Sequence, residues 1–124
     1  MDAAALLEQL PDAVIASDRE GVIRYWNAAA VTLFGFAADE AIGQSLDIII
    51  PEHLRAPHWK GYHAALAAGR TKYSGKPLTT RALSRDGGKL YVAMLFGVLH
   101  DPDGSAWGAV AVARRTERPE RPER

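Results

Sequence analysis

Apolar positions recur at helical spacing at the start of the chain. Leu6, Leu7 and Leu10 form one stripe of a short helix over residues 2–10, which Pro11 stops. Residues 12–18 then read as a strand, Arg19-Glu20-Gly21 as a turn, and residues 22–27 as a second strand, so a hairpin follows the helix. Asn27 suits a helix N-cap, because its side-chain oxygen can take a free backbone N–H of the first turn. The pattern predicts a two-turn helix over residues 28–34, with Gly35 as its exit. A short helical turn is predicted over residues 39–43, and the run Leu46 to Ile50 is apolar enough to be buried.

Two prolines, Pro51 and Pro57, come next. Proline inside a helix removes one backbone hydrogen bond and crowds the preceding turn. Pro57 is therefore expected in the first turn of a new helix that runs to about Ala68 and ends at Gly69. The remainder alternates like three long strands, over residues 72–84, 89–100 and 105–115. The turns between them, Arg85-Asp86-Gly87-Gly88 and Asp101-Pro102-Asp103-Gly104, carry hairpin chemistry. Two strands, several short helices and three strands make an α+β fold with a five-stranded antiparallel sheet, its helices packed on one face. From Arg114 onward the chain turns polar. The Pro-Glu-Arg repeats of residues 118–124 cannot build a core and read as a disordered tail.

The chain has 124 residues, enough for one domain with one core. Its 15 acidic and 15 basic residues cancel, which argues against an electrostatic nucleic-acid binder. The sequence holds no cysteine. That removes disulfides, thiolate zinc sites, iron–sulfur clusters and a cysteinyl-flavin adduct. No apolar run reaches the roughly 20 residues of a membrane span, and the first residues lack a secretory pattern. Together these give a cytoplasmic expectation, with no membrane partner. No nucleophile–base pair, phosphate loop or carboxylate pair points to an enzyme. Asp39, Glu40, Asp101 and Asp103 stand where helix starts and turns need them.

Several motifs occur in order. They are Trp26-Asn27-Ala28-Ala29-Ala30, Leu33-Phe34-Gly35-Phe36, Glu40-Ala41-Ile42-Gly43, the Arg85-Asp86-Gly87 hairpin and the closing Ala113-Arg114-Arg115-Thr116-Glu117. Together they resemble the signature of PAS domains. The resemblance implies a PAS domain over residues 11–117, preceded by a cap helix over residues 1–10. A narrower segment, Ile49-Ile50-Pro51-Glu52-His53-Leu54-Arg55-Ala56-Pro57-His58, is similar to the haem-binding PAS domains of FixL-type oxygen-sensor kinases and direct-oxygen-sensor phosphodiesterases. Asp86 stands 28 positions after His58, which keeps that register without an insertion. The resemblance implies haem b as cofactor, His58 as its axial iron ligand, and a diatomic gas (O2, CO or NO) or a redox change as the signal.

On a helix the neighbours of His58 are Gly61 and Tyr62, then Ala65 and Leu66. Small residues at 61 and 65 would let a flat macrocycle lie close. Ile50, Leu78, Met94 and Phe96, with Ile48, Ile49 and Leu83, are candidates for the apolar wall. The family's sensors commonly carry an arginine eight positions before the hairpin Asp-Gly; Leu78 stands there in this chain. Arg81, three positions on, would point to the other face of the strand. Met94 reads as a core filler or a sixth ligand, and Lys72 or Lys76 could meet a propionate.

His53, His58 and His63 are spaced by five, pointing about 140° apart on a helix, so they make no metal cluster. His100 beside its turn reads as exposed. Trp26 is expected to pack at a strand end, and Trp59 to point away from His58. Trp107 with Leu6, Leu7 and Leu10 would form a homodimer interface, or the N-terminal helix would cover that face within one chain. The competing function is a PAS interaction module holding FAD or a small metabolite, or a ligand-free dimerisation domain that signals to a separate effector.

Overall fold

The computed structural model describes residues 1–73 and 75–118. Ser74 and residues 119–124, most of the expected tail, lie outside the described residues. The chain runs α1 (Ala3–Glu8), β1 (Ala13–Asp18), β2 (Ile23–Trp26), α2 (Ala28–Phe34), α3 (Ala38–Ala41), a 3-10 turn (Leu46–Ile49), α4 (Glu52–Ala68), β3 (Leu78–Leu83), β4 (Lys89–His100) and β5 (Ala106–Thr116). The five strands make one antiparallel sheet in the order β2-β1-β5-β4-β3. The α+β architecture is the one that the pattern of the chain predicts.

Strand register decides which residues face the helices. Leu78 lies opposite Met94, Met94 opposite Ala113, and Ala113 opposite Ala13, so these share one face. On that face Ala13, Ile15, Ile23, Trp26, Leu90, Val92, Met94 and Ala113 are buried, together with Phe34 and Ile49 from the covering elements. Val14, Val112 and Leu95 share the other face, and Leu95 is 44% exposed there.

Asn27 is the hub of the N-terminal half. Its Oδ1 accepts from the N–H groups of Val14 and Ala30 at 2.9 and 3.0 Å, and its amide donates to the Leu7 and Asp12 carbonyls. One fully buried side chain thus caps α2, pins β1 and tethers α1. A Tyr25 hydroxyl bond to Glu8 adds a second tether to α1. Leu6 nevertheless stays 55% exposed and Trp107 37%, so α1 does not bury its whole apolar stripe within this chain.

Two expected boundaries are corrected. Helix α4 begins at Glu52, and Pro57 lies inside it. The bond that Pro57 cannot make would go to the His53 carbonyl. Both residues are exposed, so water can take that carbonyl and the helix continues. Strand β3 begins at Leu78 rather than Lys72. Residues before it close a turn through Lys76 N–H to the Tyr73 carbonyl, and Pro77 has no N–H to give a ladder.

Candidate ligand site around His58

Helix α4 presents Leu54, Arg55, His58, Trp59, Tyr62, Ala65 and Leu66 to the rest of the protein, a stripe of helical period. His58 is half-buried on this stripe, whereas His53, His63 and His100 are exposed. The His58 Nδ1 atom is fully buried and has no hydrogen-bond partner among the described residues. Burial pushes the imidazole below the ordinary histidine value. The nearby Asp47 carboxylate opposes that shift and His63 adds to it. The neutral ring is the favoured form, with its lone pair available.

Three rings pack together here. His58 meets Trp59 edge-on with centroids 4.6 Å apart, and lies 5.7 Å from Tyr62 at a tilt of 34°. Trp59 and Tyr62 are themselves 5.2 Å apart and nearly perpendicular. Trp59 does not point away as expected. Its indole N–H reaches Asp47 Oδ1 at 2.8 Å, which turns the ring back over its neighbour. The far edge of the indole lies on Gly21, where an added Cβ would stand 2.0 Å from Cη2. The Tyr62 hydroxyl donates to the Asp18 carbonyl and accepts from the buried Ser17 hydroxyl at 2.7 Å. Arg55 fastens the start of the helix by donating to the Ile50 and Asp47 carbonyls at 3.0 and 3.3 Å.

Among the other residues singled out in the sequence, Ile50, Met94 and Phe96 belong to one apolar cluster, and Leu78 sits across the strand from Met94. Leu66 is buried and Ala65 half-buried, while Gly61 lies on the exposed margin of the stripe. A Cβ on Gly61 would meet no described atom within 4 Å, in keeping with its exposed position. The Arg81 guanidinium is on the far face of β3, 3.3 Å from the Tyr91 hydroxyl and over its ring. Lys72 lies over the Tyr73 ring, which in turn packs on Phe96. Asp47, Ser17 and Gly21 had no signal in the sequence, because each comes from a different element. Among the described residues no three His, Asp or Glu side chains are grouped to hold a metal ion. A macrocycle that brings four of its own nitrogen ligands needs only one, and the unpartnered, neutral His58 fits that requirement.

A family model described as the PAS fold matches residues 2–116. The chain belongs to the PAS family. Over 54 residues, 44% of the chain, it is 43% identical to the sensor protein FixL of Bradyrhizobium diazoefficiens. Over 87 residues, 70% of the chain, it is 28% identical to the oxygen sensor protein DosP of Escherichia coli. Each match spans 11% of the relative's own length. Among solved structures, a PAS domain from Colwellia psychrerythraea superposes with a TM-score of 0.79 at 21% identity, covering 91% of this chain and 92% of that one. That likeness shows the fold. No helix among the described residues is long and apolar enough to cross a membrane.

Proposed function

We propose that this PAS domain is a haem-b-binding sensor in which His58 is the protein ligand of the iron. The observation that carries the reading is the buried, unpartnered Nδ1 of His58. A buried polar atom left without a partner costs about 1–3 kcal/mol. A partner that engaged this buried nitrogen would offset that cost. The resemblance of the segment around Pro51-Glu52 to the haem PAS sensors points the same way, as do the partial matches to FixL and DosP. Haem iron, when bound, supplies a reversible seat for a diatomic gas.

The chain's own residues supply the rest. Burial keeps His58 neutral, and so ready to ligate, at physiological pH. Ile50, Met94 and Phe96, which share one apolar cluster, would serve as the wall that keeps water out. Tyr62 and Trp59 join α4 to the β1–β2 turn and to the 3-10 turn, so a displacement of His58 would move both. Leu95 on the outer sheet face, with Leu6 and Trp107 also exposed, suits a homodimer that passes the change to an effector. Elution as a monomer at micromolar concentration would remove that part of the reading.

The test is the visible spectrum of protein produced with haem available, before and after dithionite. A Soret band that His58→Ala abolishes or moves is expected. A colourless protein, or His58→Ala with unchanged ferric and ferrous spectra, ends the proposal. Blue-light absorption by a bound flavin would replace it with the flavin reading.

A further inference from the structure

A ligating imidazole is normally oriented by a hydrogen bond from its second nitrogen to a carboxylate or a carbonyl. His58 has no such bond among the described residues, although its Nδ1 is fully buried. Its neighbours are two aromatic side chains whose own polar ends are tied elsewhere. The Trp59 indole N–H is held by Asp47 Oδ1 at 2.8 Å and its opposite edge rests on the Gly21 backbone. The Tyr62 hydroxyl is held by Ser17 and by the Asp18 carbonyl. Neither ring can turn without breaking a polar bond, and both touch the imidazole.

We propose that Trp59, anchored by Asp47, and Tyr62, anchored by Ser17 and the Asp18 carbonyl, are the positioning residues of His58. They clamp its ring by packing where a hydrogen bond would ordinarily do so. The consequence for haem rests on the reading of His58 as the iron ligand; the clamp itself is a property of the chain without haem. Asp47 matters here through Trp59 and not by touching the imidazole. Two rings set at 80° and 34° to His58 leave its plane little freedom. Removing the Asp47 acceptor frees the indole and with it the imidazole.

The experiment uses the full chain and three variants, Asp47→Ala, Asp47→Asn and Trp59→Phe. Asp47→Asn keeps an acceptor oxygen for the indole. The first readout is the set of side-chain ring resonances of His58 by NMR in haem-free protein, where the edge of Trp59 imposes a ring-current shift. Asp47→Ala and Trp59→Phe are expected to move those resonances toward the values of the exposed His53, and Asp47→Asn to restore them. The second readout is the haem dissociation constant, expected to rise about tenfold or more in Asp47→Ala and Trp59→Phe and little in Asp47→Asn. Should Asp47→Ala fail to fold, Tyr62→Phe frees the other ring and is read in the same way.

Unchanged His58 resonances in folded Asp47→Ala or Trp59→Phe overturn the clamp. So does an equal loss in Asp47→Asn and Asp47→Ala. Resonances that move as expected in a protein that takes up no haem support the clamp and end the haem reading. Unchanged His58 resonances together with haem bound equally well by wild type and Asp47→Ala overturn the clamp and leave the haem reading in place.

Discussion

Replacing Gly21 by alanine attacks the site from outside it. Gly21 sits at φ +77°, and its backbone is pinned on both sides: its N–H bonds to the Asp18 carbonyl and its carbonyl takes the N–H of Leu46, each at 3.0 Å. A Cβ there would stand 2.0 Å from Cη2 and 2.2 Å from Cζ3 of Trp59. Ordinary carbon contact is near 3.5–4.0 Å, so the indole must move by about 1.5 Å. The left-handed backbone costs an L-residue about 1–2 kcal/mol. The displaced indole loses its bond to the Asp47 carboxylate, worth about 1.5 kcal/mol at this partly exposed position. Gly21→Ala is thus expected to destabilise by about 3 kcal/mol, lowering the melting temperature by roughly 10 °C for a domain of this size. Gly43→Ala is the control. That residue has φ +94° and no described atom within 4 Å of the added carbon, so only the backbone cost applies. Urea or thermal denaturation of the two variants reads the difference, and equal losses would refute the reasoning. Trp59→Val is expected to bring the cost of Gly21→Ala down to that of Gly43→Ala.

Three further outcomes follow from the charges and donors around the site. Burial holds the His58 imidazole below the ordinary value of 6.5, with Asp47 and His63 as its charged neighbours. The unfolded chain therefore binds that proton more readily. The contribution of His58 to stability is full above about pH 6.5 and is lost as pH falls through the lowered folded value, levelling off below it. Denaturation midpoints from about pH 8 to pH 5 should lose this limb in His58→Leu; superimposable profiles would contradict it. Haem retention should fall in the same direction, since the ring must be neutral to ligate. On the sheet, Leu78 and Met94 offer no N–H or O–H donor, and the Arg81 guanidinium is engaged on the far face. Leu78→Arg is expected to raise affinity for oxygen relative to carbon monoxide about tenfold, the worth of one charge-assisted hydrogen bond of ~1.5 kcal/mol. Arg81→Leu should leave the ratio unchanged. Gas titrations giving the same ratio in Leu78→Arg and wild type would count against this assignment of the sheet face.

Much of the fold was legible because its determinants are local. Helix α2 runs from the residue after Asn27 to the residue before Gly35, as the cap and exit chemistry predict. Strand β4 keeps its expected bounds because a Gly turn precedes it and an Asp-Pro turn follows. The misreadings came where water or another element decides. A proline rule that assumes a buried ladder starts the helix at Pro57, but the orphaned His53 carbonyl lies on the solvent side, where water can take it, and α4 begins a turn earlier at Glu52. Alternation alone extends β3 back to Lys72, but the chain leaves the β4 edge before Leu78: residues 95–100 of β4 pair with β5 alone among the described residues, and Pro77 has no N–H to extend the ladder. The site was half legible for the same reason. Helical spacing places His58, Tyr62, Ala65 and Leu66 on one stripe. The direction of Trp59 depends on Asp47 and Gly21, which no periodicity along α4 can reach.

The pattern of satisfied polar groups around α4 is itself an argument about function. The Trp59 indole, the Tyr62 and Ser17 hydroxyls and the Arg55 guanidinium all find partners. So does the buried Asn27, with both of its polar atoms engaged. Folding thus has the means to satisfy buried polar atoms in this chain, and it does so on every side of His58. The imidazole Nδ1 alone is left over among the described buried side-chain atoms. A histidine that served only to fill space there would be out-competed in stability by an apolar side chain of similar volume, because the orphaned nitrogen costs about 1–3 kcal/mol. Local rules broken without a structural return mark places where something other than stability shapes the residue. The unpartnered Nδ1 of His58 breaks such a rule, and that is the ground on which a ligand role is proposed for it.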